Sequence, residues 1–251
     1  MERSRTRSIQ DFILDHVDDD PRGIARRVAQ AYGISRQAAN RHLDALVGAG
    51  VLDESGHTRA RAYALRRSSA VSRELRVTPV LSSSRVWADA IAPILAGDRA
   101  IVRETCRGIF KELVENAIRH AGASWISIEL ATSARQIDLA VTDDGRGIFS
   151  ALAERFLVAT PRGAAEEFAR RAQLRSMDSP GARLTLLARG AESFAIASSG
   201  IVCEFEAAND LWIVRNSEEV LAGTTVSCRL KRSVSREGRI DEPIPSRVSR
   251  R

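Results

Sequence analysis

The chain has little of what would cross-link it, export it or fix it in a bilayer. Its three cysteines, Cys106, Cys203 and Cys228, are scattered and odd in number. They match neither a CxxC motif nor a Cys/His metal spacing, so no disulfide framework or structural zinc is expected and the thiols read as small buried hydrophobes. No stretch approaches the roughly eighteen uninterrupted apolar residues that a membrane span requires. The opening MERSRTRSIQDF is basic but has no apolar segment of signal-peptide length. The expectation is a cytoplasmic protein without membrane contact. Lysine is also nearly absent: Lys111 and Lys231 are the only two, and arginine supplies the remaining positive charge.

What is present describes an ordinary globular chain. The 251 residues suffice for one large domain or two modest ones, and 44% hydrophobic content argues against disorder. The net charge of +6 is unevenly spread. Residues 1–76 hold 14 Lys/Arg against 10 Asp/Glu, residues 77–230 hold 17 against 19, and residues 231–251 hold 7 against 3. The basic excess therefore sits at the two ends, where it favours contact with nucleic acid without specifying it.

Residues 8–65 predict three short helices and a β-hairpin. Ser8 with Asp11 forms a capping pair for a first helix bearing Ile9, Phe12, Ile13 and Val17. Asp20-Pro21 starts a second helix, with Asp20 as cap and Pro21 at the first helical position, running to about Ala31. Tyr32-Gly33-Ile34 turns the chain, and Ser35 caps a third helix that ends at Gly48 and Gly50. Strand, turn and strand follow through Val51-Leu52, Glu54–His57 and Arg61–Leu65. This order is that of a winged helix. In the third helix Ala39, Leu43 and Leu46 share one face, while Arg36, Gln37, Asn40 and Arg41, next to Ser35, share the other and can reach base edges or phosphates. Arg59 and Arg61 in and after the hairpin tip are candidates for the flanking backbone. The stretch ISRQAANRHLDALVGAGVL resembles the winged-helix repressors, which implies DNA as a partner and leaves homodimerisation open.

The sharpest chemistry lies in FKELVENAIRHA, residues 110–121. In a helix, Glu112, Asn116 and His120 fall four residues apart on one polar stripe beside Phe110, Leu113, Ala117 and Ala121. Some twenty residues later the apolar strand IDLAVT runs into Asp143-Asp144-Gly145-Arg146-Gly147. This pair of motifs resembles the N box and first glycine box of the gyrase/Hsp90/histidine-kinase/MutL (GHKL) ATPases, which share the Bergerat fold. The later GTTVSCRL resembles the strand that closes their site. With the fused winged helix, the chain looks most like bacterial winged-helix/ATPase regulators, while ELVENAIRHA is equally close to the serine-kinase anti-sigma factors.

The resemblance implies ATP and Mg²⁺ as ligands, and the residue types suit those roles. Asn116 offers a hard amide oxygen to Mg²⁺. Glu112, one turn earlier, is placed to orient or deprotonate an attacking water or hydroxyl, the candidate catalytic role. Asp143 matches the aspartate that accepts from the adenine amino group, and Thr224 the hydroxyl on the adenine side. Gly145 and Gly147 let the backbone turn beside the base, where a Cβ would intrude. Arg119 and His120 are candidates for phosphate. The second glycine box, expected as a phosphate cradle, is reduced here to Ser179-Pro180-Gly181-Ala182-Arg183-Leu184, in which only Gly181 and Leu184 fit, with Arg183 bringing a positive charge.

The expected architecture is therefore α+β: a winged helix-turn-helix over 1–66, a connector over 67–84 with a short strand near Glu74–Val77, a Bergerat α/β sandwich over 85–232 with a mixed sheet and helices on one face, and a disordered basic tail over 233–251. Within the sandwich, residues 150–173 are expected to be helical and polar. A sensor histidine kinase is not expected, because His16, His42, His57 and His120 lack the context of a phosphoacceptor. Three functions stay open: a DNA-binding transcriptional regulator switched by ATP, an anti-sigma-like serine/threonine protein kinase using Glu112, and a regulator whose vestigial site serves dimerisation or partner recruitment.

Overall fold

The computed structural model describes residues 2–57, 60–175, 180–218 and 222–232. Two separate hydrophobic cores organise it. The smaller one gathers Ile9 and Ile13 from α1 (Glu2–His16), Val17 just after it, Ile24 and Val28 from α2 (Ile24–Tyr32), and Ala39, Leu43 and Leu46 from α3 (Arg36–Gly48). Leu52 of β1 (Leu52–Ser55) and Tyr63 of β2 (Ala62–Leu65) close it from an antiparallel hairpin. The helical spacing of these apolar positions is what makes each helix one-sided, and their common burial fixes the three against one another. Ser35 caps α3 as its sequence predicts, its Oγ accepting from Ala38 N at 3.1 Å, and Gly33 takes the left-handed turn at φ 61°.

Two helix starts differ from expectation. The first helix begins at Glu2, not Ser8. Asp20 caps a turn instead of a helix: its Oδ1 accepts from Gly23 N at 2.8 Å, and α2 opens only at Ile24. Pro21 lies in that turn, its carbonyl accepting from Tyr63 N at 3.0 Å and tying the turn to the hairpin.

The larger core lies under one seven-stranded sheet of order β3-β4-β5-β9-β6-β7-β8. Its strands are β3 (Ser69–Arg76), β4 (Trp125–Thr132), β5 (Gln136–Asp143), β6 (Ser193–Ser198), β7 (Ile201–Glu206), β8 (Leu211–Asn216) and β9 (Thr224–Lys231). Every neighbouring pair is antiparallel, which corrects the expected mixed sheet. Strict alternation, as in Ile137, Leu139 and Val141, sends one set of side chains into the core and leaves the other half exposed. On the buried face α5 (Ala100–His120) packs against β5 and β9, and α7 (Pro161–Gln173) against β7 and β8.

The segment expected as a connector supplies β3, a full edge strand running in register from Ser69↔Thr132 to Arg76↔Trp125. Its side chains are mostly exposed, so no apolar alternation announces it, and backbone hydrogen bonds to β4 hold it. A short helix, α4 (Ser83–Val86), continues into a π-helical turn over Trp87–Ile91 that brings Trp87 and Ile91 into the core.

The expected polar helix over 150–173 is two helices, α6 (Ile148–Phe156) and α7, broken at left-handed Leu157 (φ 56°). Thr160 and Pro161 restart the chain, Thr160 Oγ1 accepting from Gly163 N at 3.0 Å. A further helix, α8, spans Ala182–Ala188. The three cysteines are buried as expected, and burial pushes the thiols of Cys106 and Cys203 up to about 12 and that of Cys228 higher still. Among the described residues no helix is long and apolar enough to cross a membrane. The expectation for the 233–251 tail lies outside the described residues.

Two ionic clasps tie the architecture together. Arg135, in the β4–β5 turn, pairs with Asp11 and, at 3.4 Å, with Asp15, fastening α1 to the sheet. Arg232, at the end of β9, donates to Asp98 Oδ1 at 2.8 Å, to Ser133 O at 2.8 Å and to Ser68 Oγ at 3.2 Å. The Asp98 side chain has no exposure and Arg232 only 14%. Removing one partner of such a pair leaves a buried charge uncompensated. Asp98→Ala is accordingly expected to destabilise the chain by about 3 kcal/mol in urea unfolding; a change below about 0.5 kcal/mol would show that this clasp contributes nothing net.

Candidate functional site

The site is built where the C-terminal end of α5 meets the end of β5. Apolar Phe110, Leu113, Val114 and Ala117 anchor α5 in the core, which leaves Glu112, Asn116 and His120 along one open edge. These line a cavity of about 600 Å³ together with Asp143, Gly147 and Thr224, and with Gly181–Leu184 from the start of α8. Of the sequence-predicted nucleotide residues, Glu112, Asn116, Arg119, His120, Asp143, Gly147, Gly181 and Thr224 all line this single cavity. Gly145 lies behind its wall, donating from its backbone N to Asp143 Oδ1 at 2.9 Å.

Asp143 is the pivot. It closes β5 opposite Thr224, the first residue of β9, and is only 9% exposed. Burial raises its carboxyl above the ordinary aspartate range, an effect that the backbone amides of Gly145 and Thr224 partly offset. Asp144 does the opposite work: it accepts from the backbone amides of Trp125 at 2.8 Å and Ser124 at 2.7 Å, which hold its carboxyl low. One aspartate of the pair thus faces the cavity and its neighbour staples the loop to β4. Thr224 Oγ1 accepts from Ile148 N at 2.9 Å, fixing the first turn of α6 to β9 and leaving the hydroxyl proton free to donate.

The protein's own packing leaves no room for a side chain at these glycines. A Cβ on Gly145 would come within 2.4 Å of Ala121 O, and one on Gly147, at φ 83°, within 2.5 Å of Ser198 Oγ. The obstacle is the protein itself, which packs the loop between α5 and the sheet. Gly181, at φ 82°, likewise makes room for Phe168, whose Cε2 would lie 2.6 Å from an added Cβ. Ser179 of the expected second glycine box lies outside the described residues.

The loop binds α5 through Arg146 N, which donates to Ala121 O at 2.9 Å. Glu112 stands nine residues before Ala121, so it lies about 13 Å back along the helix axis. Asp143 and Glu112 therefore mark two separated ends of the cavity. Glu112 is 12% exposed and carries Arg183 Nε at 3.1 Å. Arg119 is drawn to Glu115 at 3.6 Å.

Sequence reasoning missed several lining residues. Arg146 was visible inside DDGRG, and Val141 and Val226 fall on the buried register of their strands, but nothing local pointed to Ile148, Leu152 or Arg155. Val141, Ile148, Leu152, Leu184 and Val226 give the cavity apolar walls, with a buried carboxylate at one end and an amide oxygen, a second carboxylate and several arginines elsewhere. This donor set fits a flat heteroaromatic base carrying a metal-bound polyphosphate.

The second group of predicted residues sits on the smaller unit. Ser35, Arg36, Gln37 and Arg41 are exposed at the start of α3, and Asn40 is half buried. Arg61 is turned inward, paired with Asp44 at 2.6 Å and Glu54 at 2.6 Å and lying over the Tyr63 ring, so its charge is satisfied within the hairpin. Arg59 lies outside the described residues.

Residues 102–234 match the family described as histidine kinase-, DNA gyrase B-, and HSP90-like ATPase. No curated protein matches the chain.

The raised carboxyl of Asp143 gives a test of its burial. A carboxyl whose folded value lies above its unfolded value contributes stability at low pH that is lost as pH rises through the folded value. Asp143→Asn keeps an oxygen for Gly145 N and removes the buried charge. It is expected to be more stable than the parent at neutral pH, with the difference shrinking as pH falls through the folded value toward the ordinary aspartate range. Thermal unfolding of both proteins across this range measures it, and a difference that does not change with pH would refute the buried charge.

Proposed function

The chain belongs to the family of histidine kinase-, DNA gyrase B- and HSP90-like ATPases, and we propose on that footing that its cavity binds Mg-ATP and that nucleotide occupancy regulates binding of DNA by the N-terminal unit. The observation that carries the nucleotide half is convergence: residues from α5, β5, α8 and β9, chosen separately along the sequence, line one cavity with its polar groups at opposite ends. Asp143 selects adenine by accepting from its amino group, with Thr224 beside it, and the apolar walls hold the ring. Asn116 supplies an oxygen for the metal, which neutralises phosphate charge when bound. Arg119 and His120, in the last turn of α5, line the cavity as candidate phosphate contacts. Glu112 is the group available to orient a water.

The DNA half is read from the smaller unit as a winged helix-turn-helix. Its support is the order of three helices and a hairpin around their own core, with α3 presenting Ser35, Arg36, Gln37 and Arg41 to solvent beside its N-terminus. Side chains of these types at a helix start can donate to bases and phosphates in a major groove. With Arg61 held by Asp44 and Glu54, the reading rests on α3. A route between the two halves is available. The strands β5 and β9 hold Asp143 and Thr224 at one end, and at the other end they lie beside Arg135, the residue that clasps α1. Nucleotide changes DNA affinity only if it binds the clasped and released arrangements unequally.

Calorimetric titration of Mg-ATP into the full chain is expected to give saturable binding that Asn116→Ala and Asp143→Ala each weaken at least about tenfold, corresponding to about 1.4 kcal/mol; equal binding by all three proteins would remove the cavity from consideration. In gel-shift assays on the chain's own operator, Arg36→Ala or Arg41→Ala is expected to cost about 1–3 kcal/mol. Loss of affinity in neither variant would turn α3 toward protein contact, and an operator affinity indifferent to ATP would end the regulatory coupling.

A further inference from the structure

We propose that Arg183 reads the terminal phosphate of the nucleotide, and that its ion pair with Glu112 is what the terminal phosphate must break; this inference rests on the nucleotide reading above. The pair is an observed contact, Arg183 Nε to Glu112 Oε2 at 3.1 Å, between a side chain 80% exposed and one 12% exposed. The asymmetry matters. Glu112 is nearly enclosed and depends on this guanidinium for compensation, whereas Arg183 has a long, solvated stem that can swing with little loss of packing.

Three other cations on or beside the cavity are engaged with other carboxylates. Lys111 and Arg119 both pair with Glu115, at 3.7 and 3.6 Å, and Arg146 pairs with Glu154 at 3.0 Å. Among the described residues, Arg183 is the one cation paired with Glu112. Without it, a nearly buried carboxylate would stand about 13 Å along α5 from the glycine loop, at the end of the cavity where the far phosphate of an adenine-anchored nucleotide arrives. That charge would repel the phosphate.

A terminal phosphate offers Arg183 more negative charge and a bidentate acceptor, so it competes for the guanidinium. When it wins, the guanidinium stays between the two and offsets their repulsion, while the Glu112 oxygen it has left is open to orient water. A diphosphate anchored at the same adenine end presents less charge there and leaves the pair closed. One arginine thereby links recognition of the third phosphate to exposure of the candidate base. It takes the place of the glycines that this chain lacks around Gly181.

The test is a pair of titrations, Mg-ATP and Mg-ADP, by calorimetry on the full chain and on Arg183→Ala, Arg183→Lys, Glu112→Gln and the Glu112→Gln/Arg183→Ala double variant, with a thermal melt of each to confirm folding. Arg183→Ala is expected to raise the Kd for ATP about tenfold and that for ADP less than about twofold. Arg183→Lys restores part of the difference. Glu112→Gln, which frees Arg183 in advance, is expected to tighten ATP about threefold or more relative to ADP, and the two substitutions are expected to be non-additive. Equal shifts for ATP and ADP, or strict additivity, overturn the role of Arg183 while leaving Asp143-dependent nucleotide binding intact. If the parent chain and every variant bind neither nucleotide, the nucleotide reading and this inference fall together.

Discussion

The close entry of β9 beside β5 is the constraint on which the rest of the site depends. At Gly223 the two backbones approach so nearly that an added Cβ would lie 1.9 Å from Asp143 O. That approach sets Thr224 opposite Asp143 and lets Thr224 Oγ1 take the amide of Ile148. It also buries the Asp143 carboxylate at the cavity edge, with two backbone amides keeping it ionisable against the pull of burial. Gly145, Gly147 and Asp144 then pin the intervening loop to α5, to β6 and to β4. The adenine end of the proposed site is consequently over-determined by covalent and hydrogen-bonded neighbours.

The opposite end is built differently. Glu112 projects from a well-anchored helix, but what stands over it is an exposed arginine from a seven-residue helix. A single surface-facing ion pair is a weak constraint beside a packed strand junction. The cavity thus has one rigid end, suited to selecting a base, and one end held by electrostatics, suited to responding to phosphate charge. This division follows from where the chain places backbone contacts and where it leaves long side chains.

The same contrast governs the relation between the two units. Each has its own core, and the described ion pairs between them are those of Arg135 with Asp11 and Asp15. Partly exposed ion pairs respond to salt and to competing charge far more than apolar packing does. The strands β5 and β9 run about 24 Å from the cavity to this clasp, which gives the proposed coupling a short and stiff path. Within the larger unit the buried Asp98–Arg232 pair holds the far ends of β3, α5 and β9 at one point, close to where Arg135 leaves the sheet.

Much of this was legible in the residues themselves. The stripe of Glu112, Asn116 and His120, the run from IDLAVT into Asp143 and Gly147, the cap at Ser35 and the two-sided pattern of α3 are local signals, carried by periodicity and by residues with one strong conformational preference. The sequence by itself determined most of the helices and strands, though not all of their bounds, and which polar side chains can meet if those elements pack as their apolar faces demand. It showed only the C-terminal end of β3, near Glu74, because the exposed side chains of the rest leave no alternation to read. Nor could it show the break at Leu157, that Arg61 is spent on Asp44 and Glu54, that the glycines make room for Ala121, Ser198 and Phe168, or that Arg183 rests on Glu112. Those are contacts between segments far apart in the chain. Only tertiary packing sets them, because short-range preference decides the shape of a segment but not the surface it is pressed against.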